Sequence, residues 1–148
     1  MGLIFILLAV LAGAMLPIQG VVNGQLGRMI DNVILATLIS FGVGTVTLFT
    51  VFLFRYSGTG ESLQGLKSVP PVFFIGGALG AVYLTLVAFL VPKIGIANTT
   101  VAIILGQVAL SLWLDHFGAF GIQIREISWS RMLGALMVLS GLVLVVKS

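Results

Sequence analysis

The side chains able to do chemistry in this chain are a few amides and hydroxyls set inside apolar sequence. In Leu16-Pro17-Ile18-Gln19-Gly20-Val21-Val22-Asn23-Gly24 the two amides stand four residues apart and share one face of a helix. Further along, Thr100, Gln107 and Ser111 fall on one helical stripe; Asn98 and Thr99 precede it and Asp115 drifts off its end. Such neutral groups can hold a polar solute or a neighbouring helix, but facing lipid they have no partner. The pattern predicts that Gln19, Asn23, Thr100, Gln107 and Ser111 line a path for a small polar or amphipathic solute. The plainer alternative is interhelical glue, contributing about 0.6–2 kcal/mol per bond. Pro17 frees the carbonyl of Gly13, so a kink or polar opening is expected near mid-membrane.

The acidic residues inform by where they are not. Asp31 and Glu61 fall in loops, Asp115 at a helix end, and Glu126 after Arg125, so none occupies the middle of an apolar stretch. Proton-coupled export of cations generally uses a mid-membrane carboxylate. Asp115-His116 is the nearest candidate for proton coupling, because imidazole is the side chain that titrates near neutrality. A helix-end Asp beside a loop His is more commonly structural. No nucleophile–base pair with an orienting third group and no metal-ligand spacing is present, so neither an enzyme nor a cofactor is expected. The absence of Cys removes disulfides, thiolate metal sites and cysteine nucleophiles.

The elements that must position these groups are long and apolar. Of 148 residues 59% are hydrophobic and 7% charged, against about 25% charged in soluble domains. Spans are expected at about 3–27, 33–54, 70–91, 94–114 and 129–147, each near the 20 or so residues a bilayer core requires. Together they form one five-helix membrane domain over 1–148. Asn32 suits an N-cap, and Pro70 and Pro71 suit a first helical turn. Arg55–Val69 reads as a polar, Gly-rich loop (Ser57, Gly58, Thr59, Gly60, Glu61), and Pro92-Lys93 with Gly95 as a tight hairpin. Tyr56, Trp113 and Trp129 fall at span ends on one face, where amphipathic rings belong. The apolar segment Phe117–Ile127 is expected to lie along the interface or fold back onto the bundle. Ala12-Gly13-Ala14 imitates a signal-peptide cleavage site, but no Lys or Arg precedes the apolar run and it continues onward, so retention is expected.

Charge gives almost no instruction about orientation. The side holding the N-terminus would carry Arg55, Lys67, Arg125 and Arg131, and the other side Arg28, Lys93 and Lys147. The positive-inside bias is therefore near zero, and insertion in both orientations is expected. Two inverted copies would supply the inverted-repeat, ten-helix bundle on which many secondary transporters are built. The partners expected are a second antiparallel copy, the bilayer and a small-molecule substrate. Basic residues spread singly disfavour nucleic acid and suit lipid headgroups. Gln19 would lie roughly 12 Å from one membrane face and Gln107 roughly 10 Å from the opposite one, so inversion brings Gln19 of one copy level with Gln107 of the other. Gly20-x-x-x-Gly24, and Gly76-Gly77 with Gly80-Ala81, offer small-residue packing either between copies or within one.

Several of these segments resemble one family. Gly13-Ala14-Met15-Leu16-Pro17-Ile18-Gln19 with Asn23 and Leu26-Gly27-Arg28, then Ser40-Phe41-x-Val43-Gly44-Thr45, resemble the YdcZ-like small membrane proteins. Ala97-Asn98-Thr99-Thr100, Gly106-Gln107 and Asp115-His116-Phe117-Gly118-x-Phe120-Gly121 are similar to the same family's second block. The resemblance covers nearly the whole chain. It implies the drug/metabolite transporter superfamily and a five-helix unit, in a family with dual-topology, paired and fused ten-helix forms. It names no substrate. Relatives that exchange protons through a first-helix Glu differ here, since Gln19 and Asn23 occupy the polar positions.

The expected fold is thus all-α and integral to the membrane, in the inner (cell) membrane of a bacterium. The leading expectation is a small-solute transporter working as an inverted homodimer by alternating access. A dual-topology ion or solute channel is one alternative, separable by unitary currents. A non-transporting assembly protein is another, separable by failed assembly when the amides are replaced.

Overall fold

The computed structural model describes residues 2–56 and 68–147, with Tyr56 as backbone alone. The expected Gly-rich loop at Ser57–Glu61, and Lys67 with it, lie outside the described residues. The chain forms α1 (Gly2–Met29), α2 (Val33–Tyr56), a 3-10 turn (Pro71–Phe74) leading into α3 (Ile75–Ile94), α4 (Ile96–Phe117), a 3-10 turn (Ala119–Gly121) and α5 (Trp129–Lys147). The five spans Gly2–Met29, Val33–Arg55, Pro71–Ile94, Ile96–Phe117 and Trp129–Lys147 are long and apolar enough to cross a bilayer. Five spans are present where five are expected, with ends displaced by up to three residues: the third and fourth start one and two residues late and both end three residues late. By contacts the chain divides into two compact units, Met1–Lys93 and Ile94–Ser148.

The first unit is built on a helical hairpin. Helix α1 ends where Asp31 turns left-handed (φ 51) and the N–H of Asn32 reaches back to the carbonyl of Gly27 at 2.9 Å. Asn32 then caps α2, its Oδ1 accepting from the N–H of Leu35 at 2.9 Å, as its side-chain type predicts. Gly27 is buried in this corner, and a Cβ there would stand 3.2 Å from Val33 Cα. The unit's buried apolar side chains are Ala36 on α2 and Leu84, Val87 and Ala88 on α3.

Two prolines behave differently from a simple stop signal. Helix α1 continues through Pro17, and α3 continues through Pro92 to Ile94, three residues beyond the expected end. Pro92 leaves the carbonyl of Ala88 without its helical donor. That oxygen lies 3.2 Å from where a Cβ on Gly24 would stand, and Pro92 Cγ lies 3.3 Å from the same point. A glycine on α1 therefore lets α3 approach with its proline turn. Gly24 is thus packed inside the chain, one of the two uses the sequence allowed for it. Gly80 on α3 similarly faces the Phe41 ring, 3.4 Å from a would-be Cβ, whereas Gly76 and Gly77 have nothing within 4 Å.

The second unit is α4, its C-terminal corner and α5. Gly95, at φ 81, is the one non-helical residue between α3 and α4. Helix α4 ends on Gly118 in the left-handed region (φ 60), whose N–H bonds the carbonyl of Leu114. A Cβ on Gly118 would fall 2.6 Å from Ile124 Cγ1, so glycine is required by both angle and space. The following segment folds back: the N–H of Arg125 donates to the carbonyl of Asp115 at 2.8 Å. The segment thus turns back at the end of α4, while its apolar side chains Phe120, Ile122, Ile124 and Ile127 stay exposed. Asp115 and His116 accordingly lie in the last turn of α4, so His116 is helical where the sequence placed it in a loop.

Candidate functional site

Polar side chains within the spans fall into three groups by what they bond. In the first group the partner is a backbone carbonyl three or four residues back in the chain. Thr45, Thr47 and Thr50 on α2 donate to carbonyls four residues back at 2.8 Å. On α4, Asn98 Nδ2 donates to the carbonyl of Ile94 at 2.9 Å and Thr99 Oγ1 to that of Gly95 at 2.7 Å. Ser111 Oγ donates to the carbonyl of Val108 at 3.0 Å. These bonds let a polar side chain stand in an apolar medium without a neighbour. Thr99 is also 1% exposed.

A second group bonds across elements. Asn23, only 3% exposed, donates through Nδ2 to Ser40 Oγ on α2 at 3.2 Å. Ser40 is a site residue that the sequence reading did not single out. At the far end of α4, Asp115 Oδ2 meets Arg131 Nη1 of α5 at 3.3 Å, and the same nitrogen reaches the carbonyl of Arg125 at 3.4 Å. His116 Nδ1 is buried with no hydrogen-bond partner, its ring edge-on to Phe117 at 5.0 Å.

The third group is left open. Gln19 and Gln107 are both exposed, each near the middle of its helix. Gln19 lies about 15 Å from the C-terminal end of α1, and Gln107 about 15 Å from that of α4. Gln19 lines a cavity of about 200 Å³ with Ser40, Phe41, Gly44, Thr45 and Leu48. That cavity joins the exposed amide of α1 to the hydroxyl that Asn23 holds in place. On α4 the continuous helix keeps Thr100, Gln107 and Ser111 on one face, Thr100 half-buried and the other two exposed. Each polar set is thus assembled within its own unit.

Five apolar helices with uncharged hydrogen-bonding groups in their middles define a polytopic membrane protein whose chemistry is suited to handling solutes. The family comparison makes this specific: residues 4–144 match the model for DMT_YdcZ, described as "Putative inner membrane exporter, YdcZ". The chain belongs to this family, within the drug/metabolite transporter superfamily, and is an integral protein of the inner membrane. The description is that of a transporter and not of an enzyme. No curated protein and no solved structure matches the chain.

Proposed function

We propose that the protein carries a small polar or amphipathic solute across the inner membrane as an antiparallel homodimer, by alternating access. The observation that supports this most is the pair of open amides. Asn23 is closed onto Ser40 and the Thr99 and Ser111 hydroxyls onto nearby backbone carbonyls, whereas Gln19 and Gln107 stand exposed at mid-helix in the single chain. An amide in lipid has no partner, so both require a neighbouring copy or a wet path.

In the inverted dimer Gln19 of one copy stands level with Gln107 of the other and both face a shared cavity. Thr100 and Ser111 extend that lining on α4, while Asn23 borders it by fixing Ser40 beside Gln19. Rocking of one copy against the other exposes the cavity to each side in turn, with Pro17 and the Gly-rich α3 allowing the helices to bend. Neutral donors and acceptors select by hydrogen bonding and shape, not by charge.

Topology tests the reading directly, because the chain has no native cysteine. A lone thiol from Ser62→Cys, in the connection between α2 and α3, is treated in intact cells with a membrane-impermeant reagent, and permeabilised cells give the total. Labelling of about half the protein is expected, since the loop charges favour neither orientation. All-or-none labelling overturns the inverted homodimer.

A further inference from the structure

The C-terminal ends of α1 and α3 and the start of α2 enclose a second cavity, of about 240 Å³. It is lined by two cations, Arg28 in the last turn of α1 and Lys93 in the last turn of α3, and by apolar groups of Val33, Phe89 and Pro92. Lys93 Nζ stands 4.3 Å from the centroid of the Phe89 ring, a contact that holds the ammonium beside the apolar wall. Asp31 lines the cavity too, yet the one ion pair among the described residues is Asp115–Arg131, so neither cation is paired with a described carboxylate. Favourable interaction with the helix C-termini accounts for a cation at each position. It does not account for both lining one open cavity beside exposed aromatic surface; Phe89 is 47% exposed.

We propose that this cleft binds the phosphate of an anionic phospholipid. Arg28 offers a planar fork of donors and Lys93 a point charge, both suited to phosphate oxygens. The position matters as much as the charge. The cleft lies at the helix ends, at headgroup level, where basic pockets between transmembrane helices attract anionic lipid. The Phe89, Val33 and Pro92 surface gives the acyl chains an apolar wall that free phosphate would not use. The site is separate from the Gln19 cavity, which shares none of its lining residues.

The test uses the full chain in mild detergent, titrated with phosphatidylglycerol, with phosphatidylcholine of the same acyl chains, and with inorganic phosphate. Native mass spectrometry counts the lipid retained, and the thermal midpoint reports protection. One phosphatidylglycerol per chain is expected, preferred over phosphatidylcholine roughly thirty-fold if each cation contributes its usual share. Arg28→Gln or Lys93→Gln alone should cut the preference to roughly five-fold, the share of a single cation. The double substitution should abolish it, while Arg28→Lys with Lys93→Arg retains it. Arg55→Gln, in the last turn of α2, serves as a control and leaves it unchanged. Equal retention of the two lipids by the unaltered chain overturns the proposal, and needs no variant to fold. So does a preference that survives the double substitution, or protection by inorganic phosphate alone that matches phosphatidylglycerol.

Discussion

The α1–α2 hairpin and the α4–α5 pair solve the same problem in different ways. Both must hold two apolar helices together where hydrophobic burial contributes little, because lipid is as apolar as the partner helix. The first pair relies on close approach and a bond across the interface. Gly20, Asn23, Gly24 and Gly27 form one buried face of α1, and Asn23 is bonded to Ser40 of α2. The second pair buries one residue, Thr99, whose hydroxyl is turned onto the carbonyl of Gly95. Its bond between helices lies at the end, where Arg131 meets Asp115. The difference teaches where each pair is closed. The first is closed near its turn by small residues and a buried amide, while the second carries its interhelical bond at one corner and keeps a polar stripe open.

The comparison is sharpened most forcefully at Gly24, where the buried face of α1 also meets α3. A Cβ there would stand 3.2 Å from the free carbonyl of Ala88 and 3.3 Å from the Pro92 ring, backbone and ring atoms with little freedom to give. Gly24→Val should destabilise the chain by about 1–3 kcal/mol, the usual range for overpacking. Gly106→Val on α4, where nothing lies within 4 Å, should change chain stability by less than about 0.5 kcal/mol. Thermal unfolding of both variants in one detergent decides the matter. Equal losses would mean that α4 at Gly106 is as tightly packed as α1 at Gly24.

A double-mutant cycle on Asn23 and Ser40 sharpens the same contrast. With Asn23→Ala, Ser40→Ala and the double variant, a coupling of about 0.6 kcal/mol is expected, and no more than about 2. Ser111→Ala should lose almost nothing in stability, because its hydroxyl bonds only the carbonyl of Val108. Zero coupling would show that burial of Asn23 comes from the glycine face alone. A large loss at Ser111 would remove the distinction between bonds across helices and bonds within one.

Much of this arrangement is legible in the sequence, and the part that is not has a physical reason. The spans follow from apolar length, and the cap on α2 from Asn32. The Pro71 start needs only local rules, as does the apolar segment that folds back after Gly118. Partners need a register. The hairpin turns between Asp31 and Asn32, so residues equally far from that point stand opposite: Asn23 with Ser40, Gly27 with Ala36, Gln19 with Gly44. Two of these pairs are contacts in the structure, and the third lines one cavity. That symmetry was the available signal for Ser40, and it becomes usable once the turn is fixed to the residue. Pro92 misled for a different reason. A proline ends or kinks a helix because it lacks the N–H and its ring crowds the carbonyl four residues back, whereas here Gly24 leaves room for the Ala88 carbonyl and the Pro92 ring and the helix continues.

The smallest effect tests the corner that ties α4 to α5. Arg131 and Asp115 are about a third exposed (29% and 36%), so their attraction is screened, and a contribution of about 0.5 kcal/mol is expected. Arg131→Gln removes both the ion pair and the donor to the Arg125 carbonyl, while Asp115→Asn removes the charge but leaves an acceptor oxygen. The first should therefore exceed the second, and added salt should shrink the difference between Asp115→Asn and the unaltered chain. The location of the effect matters more than its size. Because the backbone N–H of Arg125 is bonded to Asp115, loosening the corner should speed hydrogen exchange at Arg125 and in the segment that folds back onto α4. Exchange along α1 and α2 should stay as it was. If Arg131→Gln instead lowered global stability as far as Gly24→Val does, the corner would be holding the whole chain, and the two helix pairs would not differ in the way their contacts imply.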